Sequence, residues 1–108
     1  MIQFRDSFFN QKEEKILLLH IIGVLEAIIR KNLSLNEAEK FLFSPYIICK
    51  LKKKKCNNKI ITILEEGCEL EDIASLLPES LEKNIIALKE QTLKTIEEYP
   101  KFEDEFWL

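Results

Sequence analysis

Glycine and proline are scarce in this chain of 108 residues, at two and three. An all-β fold needs many tight turns, so the shortage argues against one. There is one histidine and one tryptophan. No glycine-rich phosphate loop, G-x-S-x-G elbow or H-E-x-x-H pair occurs, so the commonest phosphate, esterase and zinc-protease signatures are missing. A basic excess is missing too. Lys and Arg number 16 against 19 Asp and Glu, a net charge of −3. Proteins that live on a phosphate backbone use a cationic surplus to replace condensed counterions. The longest apolar stretch, "ILLLHIIGVLEAII" at 16–29, is interrupted by His20 and Glu26 and falls short of the roughly 20 residues of a membrane span.

Three cysteines, Cys49, Cys56 and Cys68, form no C-x₂₋₄-C knuckle, and with His20 they lack the spacing of a structural zinc site. They read as reduced thiols of a cytosolic protein. The opening "MIQFRDSFFN" has neither a basic n-region nor a small-residue cleavage site, which agrees with a cytoplasmic location. No metal and no cofactor is expected.

What remains is rich in Leu, Ile, Glu and Lys, the composition of helices. The expected architecture is all-α: one compact domain over 1–108, a bundle of about six helices. Two are long, at about 11–31 and 79–98, and four are short, at about 35–43, 45–55, 58–66 and 70–77. Asn10 with Glu13 and Ser34 with Glu37 form capping boxes. Ser44-Pro45 places a cap and a first-turn proline before the third helix, with Tyr46, Ile47, Ile48 and Leu51 as its apolar face. In the first helix Ile16–Ile29 is apolar on nearly every side, as in a helix covered by neighbours. Gly23 then reads as a point of close helix approach, and Gly67 as the C′ stop of the fourth helix. The fifth helix offers Leu70, Ile73, Leu76 and Leu77 on one face. The last has the clearest stripe: Leu81, Ile85, Leu88, Thr92, Ile96 and Tyr99. Residues 100–108 form an acidic-aromatic tail.

Chemistry is harder to find. His20, inside the most apolar helix, reads as a core histidine, and no nucleophile or acid can be set beside it. No enzyme is expected. The lysines at 50–55, "KLKKKK", read as the solvated end of the third helix, where cations suit the exposed carbonyls. As a nucleic-acid patch, Lys50, Lys52, Lys53, Lys54 and Lys55 are the alternative, and an unfavoured one. Without these five, 11 basic residues face 19 acidic ones. A helix-turn-helix around Gly67 fails because its second helix presents Glu71, Asp72 and Ser75 where a DNA reader needs donors. The better candidates bind protein. Glu69, Glu71 and Asp72 crowd one helix start, and Phe102, Glu103, Asp104, Glu105, Phe106 and Trp107 combine hot-spot aromatics with charge that would steer a basic partner.

The segments "LSLNEAEKFLFSPY", "KLKKK" and "GCELEDIASLLPESL" resemble a family of small bacterial proteins of unknown function that carry FLFSPY and G-x-ELED-I-x-SL-x-P segments. The likeness spans roughly residues 15–98, with Cys68 in place of the usual Thr. It implies all-helical cytosolic proteins without assigned catalytic residues, some encoded near polymorphic secreted toxins, and hence an immunity role. The expected function is a non-enzymatic module that neutralises a basic toxin domain by stoichiometric binding. The alternatives are a nucleic-acid-binding regulator using Lys50–Lys55 and a structural homodimer.

Overall fold

The structure, a computed structural model, describes residues 10–103. Every regular element among them is helical: α1 (Gln11–Ile29), α2 (Leu35–Phe41), α3 (Pro45–Lys53), α4 (Asn58–Cys68), α5 (Leu70–Leu76), a 3₁₀ turn (Pro78–Ser80) and α6 (Leu81–Ile96). The expected six-helix bundle is corrected in one respect. Only α1, α3, α4 and α6 exceed two turns and form the bundle, while α2 and α5, seven residues each, are connections. No described helix is long and apolar enough to cross a membrane.

The starts form as their sequences dictate. Asn10 and Ser34 each accept from the amide of the residue three positions on, and Glu13 and Glu37 reach back to the cap amides, so both capping boxes close. Ser44 caps α3 with Pro45 in the first turn. Asn57 caps α4 by accepting from the Lys59 amide.

The stops are less legible. α1 ends at Ile29 and α3 at Lys53, each followed by a lysine in the left-handed region, Lys31 at φ 63° and Lys55 at φ 59°. Asn32 N–H donates to Ala27 O and Lys31 N–H to Ile28 O. Cys56 N–H donates to Leu51 O and Lys55 N–H to Lys52 O in the same way. Both are Schellman ends, built on a residue that gains nothing from the left-handed conformation. Asn57 and Asn58 follow, and Asn tolerates this conformation better, but Lys55 is the residue that adopts it. Lys55→Gly is therefore expected to raise stability by about 1 kcal/mol, measurable as a higher urea midpoint at unchanged m.

Packing follows an antiparallel register. α1 lies along α6: Tyr99 bonds Glu14 at one end, and Lys89 bonds Glu26 at 2.8 Å toward the other. α4 packs on α6, with Lys59 Nζ donating to both Glu98 oxygens at 2.8 and 2.7 Å. α3 and α4 form a hairpin tied by Lys52–Glu65 at 3.4 Å. The core between them is Leu17, Leu18, Ile21, Leu25, Phe43, Leu51, Ile60, Ile63, Leu64, Ile85 and Leu88. The α6 stripe is confirmed. Ile85, Leu88 and Thr92 are buried and Leu81, Ile96 and Tyr99 partly so, and the Thr92 hydroxyl is satisfied by Leu88 O at 2.8 Å.

α1 is not covered all round. Leu19, His20 and Gly23 are exposed, although the Phe41 ring lies edge-on to His20. A Cβ at Gly23 would meet no atom within 4 Å, so that glycine makes no close approach. Gly67 does: it is buried inside α4 rather than at its C′ position, against the Phe43 ring.

Candidate protein interface

From Ile60 to Glu82 the chain has no Lys or Arg and seven carboxylates: Glu65, Glu66, Glu69, Glu71, Asp72, Glu79 and Glu82. All seven are exposed. They run from the end of α4 through α5 and the 3₁₀ turn to the start of α6. Glu69 sits at the α4–α5 junction, and Glu71 and Asp72 lie in the first turn of α5. Negative charge belongs at a helix start, yet the crowding goes further. Glu39 of α2 meets Glu71, and the hydrogen bond with Glu71, then burial, then the Glu71 charge raise the Glu39 carboxyl pKa.

Two large apolar side chains stand within this acidic stretch. Leu76 is 77% exposed and Leu77 53%. Both were expected on the packing face of α5, but only Leu70 is fully buried there and Ile73 half-buried. The cause is Pro78, which pushes the preceding residue out of the helical region. Leu77 takes φ −140° and ψ 63° and α5 stops at Leu76; Leu77 leaves the helix there, and Leu76 is exposed in its last turn. "LLP" carried that signal. Beyond Pro78 the surface continues into an open groove of about 700 Å³ between the end of α1, the start of α2 and the start of α6, with Ile28, Leu33, Leu35, Leu81 and Ile85 in its walls.

The lysines at 50–55 do not share one face. Lys52 pairs with Glu65, Lys50 lies 5.3 Å from the Tyr46 ring centroid, Lys54 is half-buried and Lys55 forms the turn. Lys53 is exposed. Tyr46, expected in the apolar face of α3, is 68% exposed under Lys50. His20 is corrected as well. It is exposed, its ring edge-on to Phe41 with centroids 6.1 Å apart, and partial burial lowers its pKa. Among the described residues no group of three His, Cys, Asp or Glu is placed to hold a metal.

The tail is described only as far as Glu103, so Asp104, Glu105, Phe106 and Trp107 lie outside the described residues. Its beginning folds back. Lys15 Nζ donates to Pro100 O at 2.8 Å, and the ammonium groups of Lys12 and Lys15 lie 5.6 and 5.9 Å from the Phe102 ring centroid. Phe102 is thus engaged with α1, while Glu103 is exposed.

At the α1–α6 end lies a buried polar cluster that inspection of the sequence did not suggest. The Glu14 side chain accepts from Tyr99 OH at Oε1 and from the Asn57 amide at Oε2, both at 2.8 Å, and Asn57 Nδ2 donates to Tyr99 OH at 3.0 Å. Every member has a partner, so the cluster reads as a structural joint rather than a reactive site.

No curated protein and no solved structure matches the chain. The chain belongs to the family described as protein of unknown function, DUF3969, whose model it matches over residues 9–108, past both ends of the span marked by its FSPY and ELED segments.

Proposed function

We propose that this protein acts by binding, not catalysis: an immunity-type module that masks a basic protein domain through α5 and the turn after it. One observation carries the reading. Leu76 and Leu77 are solvent-exposed inside a stretch with seven exposed carboxylates and no basic residue. An apolar centre with a charged rim is the anatomy of a protein interface, and the rim's single sign selects and steers a cationic partner. The resemblance drawn from the sequence implies that some members are encoded near secreted toxins, which makes such a toxin the partner of choice. The lysine patch is the weaker reading, since its members are spread around a helix end and partly engaged within the fold.

The test separates binding from folding. Glu71 faces Glu39, so Glu71→Lys removes a repulsion and should leave the melting temperature unchanged or slightly higher. Leu76→Ser with Leu77→Ser removes exposed apolar surface and should also leave it nearly unchanged. In affinity capture from cells that encode the protein, the wild type should retain one stoichiometric basic partner. Both variants should lose it by about tenfold or more, the cost expected of a central interface residue. Retention of the same partner at the wild-type level would refute this face. Capture of RNA or DNA that dissociates as salt is raised would move the assignment to the lysines.

A further inference from the structure

We infer that Cys49 is a thiol-modification site and that Cys68 is its resolving thiol, the two closing a disulfide across the α3–α4 hairpin. The inference does not depend on the proposed function. Cys49 and Cys68 line one open groove with Pro45, Ile48, Lys52 and Glu65. That groove runs along one face of α3, where 45, 48, 49 and 52 follow helical spacing, and meets 65 and 68 of α4. The Lys52–Glu65 ion pair bridges the same groove. In an antiparallel pair, one turn back along α3 faces one turn forward along α4. One turn from Lys52 is Cys49, and one turn from Glu65 is Cys68. Both thiols thus open onto the same groove, each one turn from a member of that ion pair on its own helix.

Their environments differ in a way that orders the steps. Cys49 is exposed, and Cys68 is half-buried. Burial, and then the charges of Glu39, Glu65 and Glu69, raise the Cys68 pKa, so Cys68 is a poor first attacker. Cys49 meets an incoming small-molecule disulfide first. Its thiolate attacks one sulfur, forms a mixed disulfide and releases one small thiol. Cys68 then gives its proton to solvent, and its thiolate attacks the Cys49 sulfur and expels the second small thiol. The protein dithiol is oxidised, one small disulfide is reduced to two thiols, and no other oxidant is needed. Cys56 serves as an internal control: it is buried, and desolvation, with Glu14 close by, pushes its pKa up to about 12.

The full chain treated with oxidised glutathione in mildly alkaline buffer and mapped by mass spectrometry tests the assignment. The expected end product is a Cys49–Cys68 crosslinked peptide pair, no retained glutathione, and an unmodified Cys56. Cys68→Ser should stop at a stable glutathione adduct on Cys49, and Cys49→Ser should consume the reagent about tenfold more slowly. Both positions have solvent access, and peptide mapping of the wild type stands without the variants. A wild type that stops at the adduct, or that crosslinks between chains, would overturn the inference. So would modification of Cys56 at the rate of Cys49.

Discussion

Glu14→Ala is expected to destabilise the fold by about 3 kcal/mol, a large share of the roughly 5–15 kcal/mol that holds a domain of this size. Glu14 is only 8% exposed, and Asn57 and Tyr99, which it bonds, are half-buried. Its two oxygens accept from Tyr99 OH and from the Asn57 amide, which lies at the α3–α4 turn. Three parts of the chain thus meet at one carboxylate: the first turn of α1, the turn before α4, and the end of α6. A hydrogen bond to a charged acceptor contributes about 1.5–3 kcal/mol, and truncation leaves both donors without that acceptor. Tyr99→Phe removes one bond from each of the other two members and should cost about 1–2 kcal/mol. The three side chains act as a unit, so the Glu14→Ala, Tyr99→Phe double variant should cost less than the sum of the singles. Denaturant titration of the four proteins decides the matter. Additive losses, or a Glu14→Ala cost below about 1 kcal/mol, would mean that water replaces the network at no penalty.

The same joint sets an alkaline limit. Burial first, and then hydrogen bonding to Glu14, raise the Tyr99 pKa well above that of an ordinary phenol. The folded state therefore holds the protonated hydroxyl where the unfolded chain ionises. That stability is complete below about pH 10 and is lost as the pH rises toward the raised value. Cys56 acts in the same direction, its contribution complete below about pH 8.5 and lost as the pH climbs toward about 12. Stability should fall with increasing pH above about 8.5, and less steeply in Tyr99→Phe.

Local chemistry was legible where a few adjacent residues determine it. Asn10-x-x-Glu13, Ser34-x-x-Glu37 and Ser44-Pro45 each specify a helix start through their own side chains, and each is found in place. The α6 stripe was legible for the same reason, since periodicity alone shows which face is buried. What depends on a distant partner was not. Glu14 looked like one more first-turn carboxylate, and its role appears only when Asn57 and Tyr99, 43 and 85 residues away, are folded onto it. The apolar run of α1 promised burial all round, but α6 covers one side, so Leu19 and His20 remain outside. At the candidate interface the acidic residues were visible in the sequence. The leucines among them were misassigned to the core, although Pro78 already forbade a straight continuation of their helix.

The two glycines make the same point with opposite signs. Gly67→Ala is expected to cost about 1–3 kcal/mol, within the range for overpacking a close-fitted core. A Cβ there would sit 2.6 Å from Cε1 and 2.8 Å from Cγ of Phe43. Phe43 is 2% exposed, and the clash is with ring atoms rather than with the free end of a flexible chain. The ring cannot turn aside without displacing the core around it. In Gly23→Ala the new methyl meets nothing within 4 Å on an exposed helical face, so the gain in helix propensity, up to about 1 kcal/mol, should appear as stability. Sequence pattern alone assigned close approach to Gly23 and a helix stop to Gly67, whereas the close approach is at Gly67. Glycine suits both tasks, and only the neighbour across the gap distinguishes them. Shrinking that neighbour is the decisive control. Phe43→Leu leaves a gap where the ring was and is destabilising alone, but it should remove most of the cost of Gly67→Ala. A coupling of about 1 kcal/mol or more between the two positions is expected. Independent, additive effects would show that the helix shifts to admit the methyl, and that Gly67 is not held by the Phe43 ring.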